Sequence, residues 1–150
     1  MKRILPTIAG LALACGMLPA AEKGLERGMM HCFAFTPIAT ATAEQWDAFY
    51  KATDQWPDKY KGIKRVWHGK LRAPLNQYST DAATRKKVMA GEKDVAGPVN
   101  YVKREQGVCM EFTDAAALDQ YTKSPFHKEW MAGYEKVRIA GTTTYDILPH

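Results

Sequence analysis

Twice along this chain a short apolar segment runs into a capped amphipathic one, and that repetition constrains the fold more than any other feature. MMHCFAF, residues 29–35, is short, apolar and aromatic, and Thr36-Pro37 closes it, which reads as a strand. Thr42-Ala43-Glu44-Gln45 follows as a capping box, with Thr42 as N-cap and Gln45 reaching back. Trp46, Phe49, Tyr50 and Thr53 then recur at helical spacing, and Pro57 predicts a stop near Gln55. The second unit is GVCMEF, residues 107–112, followed by a Thr113-Asp114 cap and a helix through AAALDQYTK. Here the helix breaks at Ser124-Pro125. Serine is a favoured N-cap and proline is tolerated at the first helical position, so a new helix begins. Its stripe is His127, Trp130, Met131, Tyr134 and Val137, and it is expected to stop around Gly141.

Between and after these units lie the remaining pieces. IKRVWHGKL, 63–71, reads as a strand, and TTTYDIL, 142–148, as a β-branched and aromatic closing strand. Residues 72–98 are polar and contain Pro74, Gly91, Gly97 and Pro98, which predicts a long excursion with a short helix across Asp81 to Met89. VNYV, 99–102, either extends the third strand or stands alone. The order is strand, helix, strand, insertion, strand, broken helix, strand. Two β-α-β halves of this kind make a ferredoxin-like α+β fold, an antiparallel sheet with helices on one face. Alternation in MMHCFAF puts His31, Phe33 and Phe35 on one face and Met30, Cys32 and Ala34 on the other. The expectation is that His31, Phe33 and Phe35 lie on the helix-free face, where a second copy of the sheet covers them. Cys32 and Cys109 then lie on neighbouring strands, both toward the helices.

A chain of 150 residues argues for one domain. The formal charge is +5, of which Lys2 and Arg3 supply two, leaving +3 beyond the start of the chain. No basic run with interleaved aromatics is present, so nucleic acid is not an expected partner. MKRILPTIAGLALACGMLPA has a basic start, an apolar run and small residues at Ala20 and Ala21, the pattern of a secretory leader over about residues 1–21. Export to the periplasm or exterior is the expectation, with a single domain over 22–150; a lipid anchor at Cys15 is the competing reading. No later segment has the length and apolarity of a membrane span. Beyond the leader only Cys32 and Cys109 remain, two cysteines that either pair or sit as small buried residues.

Four stretches together resemble the stress-responsive α/β-barrel (Dabb) domains of the dimeric α+β barrel superfamily. MHCFAF is similar to their opening strand, YKGIKRVWHGK to the second, GVCMEFTDAAALDQYTKSPFH to the third strand and the helix ending in a tyrosine, proline and histidine signature, and HKEWMAGYEKVRIAGTTTYDIL to the last helix and strand, with Tyr145-Asp146 where a hydrophobic-Asp pair is usual. The resemblance covers about residues 29–71 and 104–148. It implies a homodimer, and it implies a pocket lined by His31, Phe33, Phe35, Tyr121 and His127. Two departures stand out: the excursion at 72–98 is long, and Ser124 replaces the usual histidine before the proline. One plant member closes a polyketide chain by an aldol-type reaction; its catalytic tyrosine and histidine match Tyr121 and His127, and His31 resembles its first-strand histidine. A further pocket histidine of that protein falls near Gln106 here.

Two readings of the signature follow. Tyr121 and His127 form an acid-base pair, with the imidazole kept neutral at a helix N-terminus. Alternatively Tyr121 packs with its hydroxyl on backbone, and His127 holds the elbow together through a ring nitrogen. The corresponding functions are binding of a small hydrophobic or aromatic ligand or a structural or stress role; a cofactor-free cyclase, lyase or isomerase; and a haem-degrading or cofactor-free monooxygenase. The last is disfavoured because the haem-degrading members use a first-strand asparagine, where this chain has His31. No cofactor is implied. His31, His68 and His127 have no carboxylate or cysteine at metal-ligand offsets in sequence, so no metal site is expected.

Overall fold

A computed structural model describes residues 28–149; the expected leader and Cys15 lie outside the described residues. The elements are β1 (Met29–Pro37), α1 (Ala43–Asp54), α2 (Trp56–Lys59), β2 (Ile63–Thr80), α3 (Ala82–Met89), β3 (Val99–Phe112), α4 (Ala115–Tyr121), α5 (Pro125–Tyr134) and β4 (Arg138–Ile147). The strands form one antiparallel sheet in the order β2-β3-β1-β4, the ferredoxin-like arrangement. Local signals built the helix starts. Thr42 accepts from the Gln45 backbone N–H while the Gln45 side chain accepts from the Thr42 N–H. Asp81, Asp114 and Ser124 cap α3, α4 and α5. Pro57 does more than end α1, because it opens the short α2 within its first turn.

The two faces of β1 are the reverse of the sequence expectation. Phe33 and Phe35 point at the helices. Phe35 meets Phe49 at 5.9 Å and Tyr134 at 4.9 Å between ring centroids, and Phe33 meets Trp130 at 6.1 Å. Alternation therefore sends Cys32 and Ala34 to the helix-free face. In register Cys32 lies opposite Cys109 on β3 and Tyr145 on β4, and Cys109 lies opposite Trp67 on β2. The physical reason is volume: the large rings fill the gap between sheet and helices, and the small residues go where another flat surface can approach. Both faces of β1 are apolar, so alternation separates the faces without saying which one meets the helices.

The excursion also differs from its expectation. β2 continues to Thr80 and β3 begins at Val99, so Leu75–Thr80 and Val99–Arg104 pair as a two-stranded ribbon, with α3 beyond its tip. Pro74 does not break the strand because it falls in an irregularity, where residues 71–74 stand against Glu105 alone. At the other end, α5 stops at Tyr134 and β4 starts at Arg138, earlier than residue 142. Gly141 is not a helix stop. It sits inside β4 at φ 92°, beside a shift in the β1–β4 register.

Cys32 and Cys109 are disulfide-bonded across β1 and β3, with Cα atoms 4.1 Å apart and a sequence separation of 77. The bond joins the middles of two central strands and restricts the unfolded chain. Replacing both cysteines by alanine is expected to lower the unfolding free energy by about 2–4 kcal/mol, read from urea denaturation. An unchanged midpoint in the double variant would show that the bond does not stabilise the sheet.

Candidate functional site

The elbow between α4 and α5 positions the site. α4 ends at Tyr121, whose carbonyl accepts the Ser124 N–H at 3.0 Å. The Ser124 hydroxyl accepts the His127 backbone N–H at 3.2 Å, so the cap, and not an imidazole nitrogen, starts α5. Tyr121 and His127 face one another across this turn, with rings 5.1 Å apart and nearly perpendicular.

Beneath the elbow, β1 supplies His31. It stands directly opposite Asp146 of β4, and its Nδ1 lies 2.7 Å from Asp146 Oδ1. An ionised aspartate accepts only, so in the neutral ring Nδ1 carries the proton and Nε2 keeps its lone pair. The Tyr121 hydroxyl lies 3.4 Å from that nitrogen, so it donates toward His31 rather than to backbone. Asp146, His31 and Tyr121 thus form a hydrogen-bonded chain from a half-exposed carboxylate to a buried phenol.

This chain opens on a cavity of about 280 Å³. His31, Phe33, Tyr121 and His127 line one part of it, and Trp130 and Met131 supply its apolar wall. Tyr134, Arg138, Thr142 and Thr144 line the remainder. Four of the five pocket residues expected from sequence therefore come together. Phe35 does not join them: it is 1% exposed and locked among Trp46, Phe49 and Tyr134, behind the cavity wall. Trp130 has a double role, since its Nε1 donates to Thr53 in the core at 2.9 Å while its ring borders the cavity.

Asp146, Arg138 and Tyr134 complete the site, and sequence reading gave none of them a role in it. Asp146 had a signal in the Tyr145-Asp146 pair, but its partner lies 115 residues away and only strand register joins them. Both strand histidines do have carboxylates: His68 Nε2 lies 2.8 Å from Asp54 and its ring stacks on Tyr50 at 4.6 Å. That pair ties α1 to β2 and does not line the cavity with His31. Among the described residues no group of three His, Cys, Asp or Glu is placed to hold a metal ion.

Burial sets the protonation states. The Tyr121 hydroxyl is pushed up to about 12, first by burial and then by the charge of Asp146. It stays protonated at neutral pH and acts as a donor. Burial alone lowers the His127 imidazole below its ordinary value, so it stays neutral.

Comparison with solved structures identifies the fold. A hydroxynitrile lyase from Passiflora edulis superposes with a TM-score of 0.56 at 9% identity, over 83% of this chain and 95% of that one. A Dabb family protein with a ferredoxin-like fold from Mesorhizobium loti gives 0.53 at 16% identity, over 83% and 99%. A dimeric ferredoxin-like protein of unknown function from Thermobifida fusca gives 0.51 at 16%, over 81% and 91%. The chain has the ferredoxin-like fold of the Dabb proteins. No protein-family model matches the sequence, and no curated protein does.

The depressed imidazole makes a signed prediction. Native His127 binds its proton more weakly than the unfolded chain, so its contribution to stability is present above pH 6.5 and is lost as pH falls through the lowered native value. Tyr121 gives the opposite limb: its contribution holds below pH 10 and is lost as pH rises through about 12. Histidine proton shifts followed by NMR should show His127 titrating below 6.5. A midpoint at or above that value would contradict a desolvated ring.

Proposed function

We propose that this chain is an exported homodimer of Dabb type whose pocket binds a small, mainly apolar molecule and performs cofactor-independent proton-transfer chemistry of the lyase or cyclase class. The observation that carries this reading is the Asp146–His31–Tyr121 chain ending at a cavity. A base needs a free lone pair within reach of its substrate, and an acid needs a proton at the working pH. His31 Nε2 supplies the first and the Tyr121 hydroxyl the second. The 3.4 Å separation between them is long for a hydrogen bond, so a substrate oxygen can compete for both groups.

For a β-hydroxy carbonyl substrate, Nε2 takes the hydroxyl proton. The O–H electron pair forms the new carbonyl as the adjacent C–C bond breaks. The enolate oxygen accepts from Tyr121, and the imidazolium returns its proton to the enolate carbon. Atoms and charge balance with no co-reactant, and the reverse sequence closes a C–C bond. Asp146 acts through His31 by holding its tautomer and steadying the imidazolium. One of the similar structures is a hydroxynitrile lyase, which supports only that this scaffold can host a lyase.

Dimerisation is supported by the helix-free face. Trp67, Tyr145 and Ile147 are 47%, 52% and 54% exposed there, around the disulfide, an apolar patch that calls for a cover. The Thermobifida fusca protein with this fold is described as dimeric. Export is supported by the leader pattern and by a disulfide, a bond typical of oxidising compartments.

The test is turnover of a panel of aromatic cyanohydrins and β-hydroxy ketones, following the released aldehyde by absorbance. His31→Ala should lower the rate about 10²–10⁴-fold, and Tyr121→Phe and Asp146→Asn should also lower it. Asp146→Asn should shift the pH profile as well, which a packing defect would not. Absence of both turnover and a thermal shift with every member of the panel would overturn the reading. For the dimer, Trp67→Glu should halve the mass seen by light scattering, and a wild-type chain already monomeric at micromolar concentration would remove that part.

A further inference from the structure

The cavity has a second polar end that the proton-transfer chain does not use. β4 runs from Arg138, next to Pro37, to Asp146, next to His31, so Arg138 and His31 lie at opposite ends of the cavity's strand wall. At the Arg138 end two buried donors have no hydrogen-bond partner among the described residues: the Tyr134 hydroxyl and Arg138 Nε. Tyr134 as a residue is only 3% exposed. The Arg138 guanidinium lies 4.5 Å over the Tyr134 ring, and none of the ion pairs among the described residues involves it. Arg104 adds a second positive charge felt by the Tyr134 hydroxyl. The Trp56 indole N–H is also unpartnered, but it is sealed in the aromatic core and does not border the cavity.

Buried donors without acceptors are costly, and native proteins rarely leave them so. Here both are donors, the local charge is positive, and both residues border one cavity. An acceptor with negative charge and two oxygens satisfies all three conditions, and a planar guanidinium suits a carboxylate. The walls between the two ends are Phe33, Trp130 and Met131, which fit a flat apolar body. At about 280 Å³ the cavity sits near the lower edge of ordinary ligand pockets, so the body is small.

From this arrangement we infer that the pocket's ligand is a small aryl or similarly flat carboxylate, with its carboxylate on Arg138 and the Tyr134 hydroxyl and its reacting oxygen toward His31 and Tyr121. The inference rests on the ligand-binding reading of this same cavity and specifies its substrate class. It makes Arg138 and Tyr134 specificity-determining residues, separate from the proton-transfer groups.

Phenylacetate and phenylacetamide are the probes, since they share a body and differ in charge. Calorimetric titration of the wild-type protein should show the acid binding more tightly. Arg138→Gln should weaken phenylacetate by roughly 10- to 100-fold while leaving phenylacetamide nearly unchanged. Tyr134→Phe should give a smaller loss for the acid only. Arg138→Lys, which keeps the charge without the planar fork, should fall between wild type and glutamine. If the amide binds the wild type as tightly as the acid, the carboxylate inference fails while the pocket reading stands, and that comparison needs no variant to fold. If neither probe binds, both fail together.

Discussion

The register of β1 is the constraint on which the rest of the structure depends. β1 is central, paired on one side with β3 and on the other with β4. On the β4 side His31 stands opposite Asp146, and on the β3 side Cys32 stands opposite Cys109 and Phe33 opposite Val108. A slip of one residue would exchange the faces, burying a cysteine under the elbow and turning the histidine away from Tyr121. The disulfide on one face and the His31–Asp146 hydrogen bond on the other both depend on how β1 is placed between its two neighbours. The covalent bond and the hydrogen bond therefore fix the same strand from its two sides.

What the sequence made legible follows the range of the forces involved. The capping box at Thr42 and the Ser124-Pro125 elbow are local, and both are present as read. The order of elements and the ferredoxin-like fold were legible because two strand-helix units admit few arrangements. The direction of each face was not. Whether Phe33 or Cys32 meets the helices depends on what Phe49, Trp130 and Tyr134 need to pack against, and those residues come from other parts of the chain. The pairing of Asp146 with His31 was hidden for the same reason, as was the continuation of β2 through Pro74. A proline reads as a break until a bulge in the partner alignment accommodates it.

The proposed chemistry rests on graded burial. Asp146 is 41% exposed at its side chain and His31 13%, while Tyr121 is buried enough to hold its proton far above neutrality. Along this short path solvent can support a charge at one end and cannot at the other. In the proposed reaction a proton taken by His31 would be balanced by a carboxylate that water helps to stabilise, while the phenol beyond it remains a donor. His127 lies beside the phenol rather than in the chain, and burial keeps it neutral. It therefore shapes the wall without adding a positive charge that would compete with an imidazolium at His31.

The long ribbon acquires a role from the same geometry. Arg104, at its base, is 7% exposed and donates to Thr143 on β4 at 3.2 Å and to Thr36 on β1 at 3.2 Å. Thr143 in turn donates to Gln77 on the facing strand of the ribbon. These bonds bind the start of β4 across β1 at the level of Gly141, where the register shifts and ladder bonding is interrupted. Arg138 and Thr142, which line the positive end of the cavity, flank that point. An edge strand with a bulge beside a ligand pocket would otherwise be the least restrained part of the sheet. The insertion compensates from the opposite side, and it lets an irregular strand hold Arg138 at a fixed place in the cavity wall.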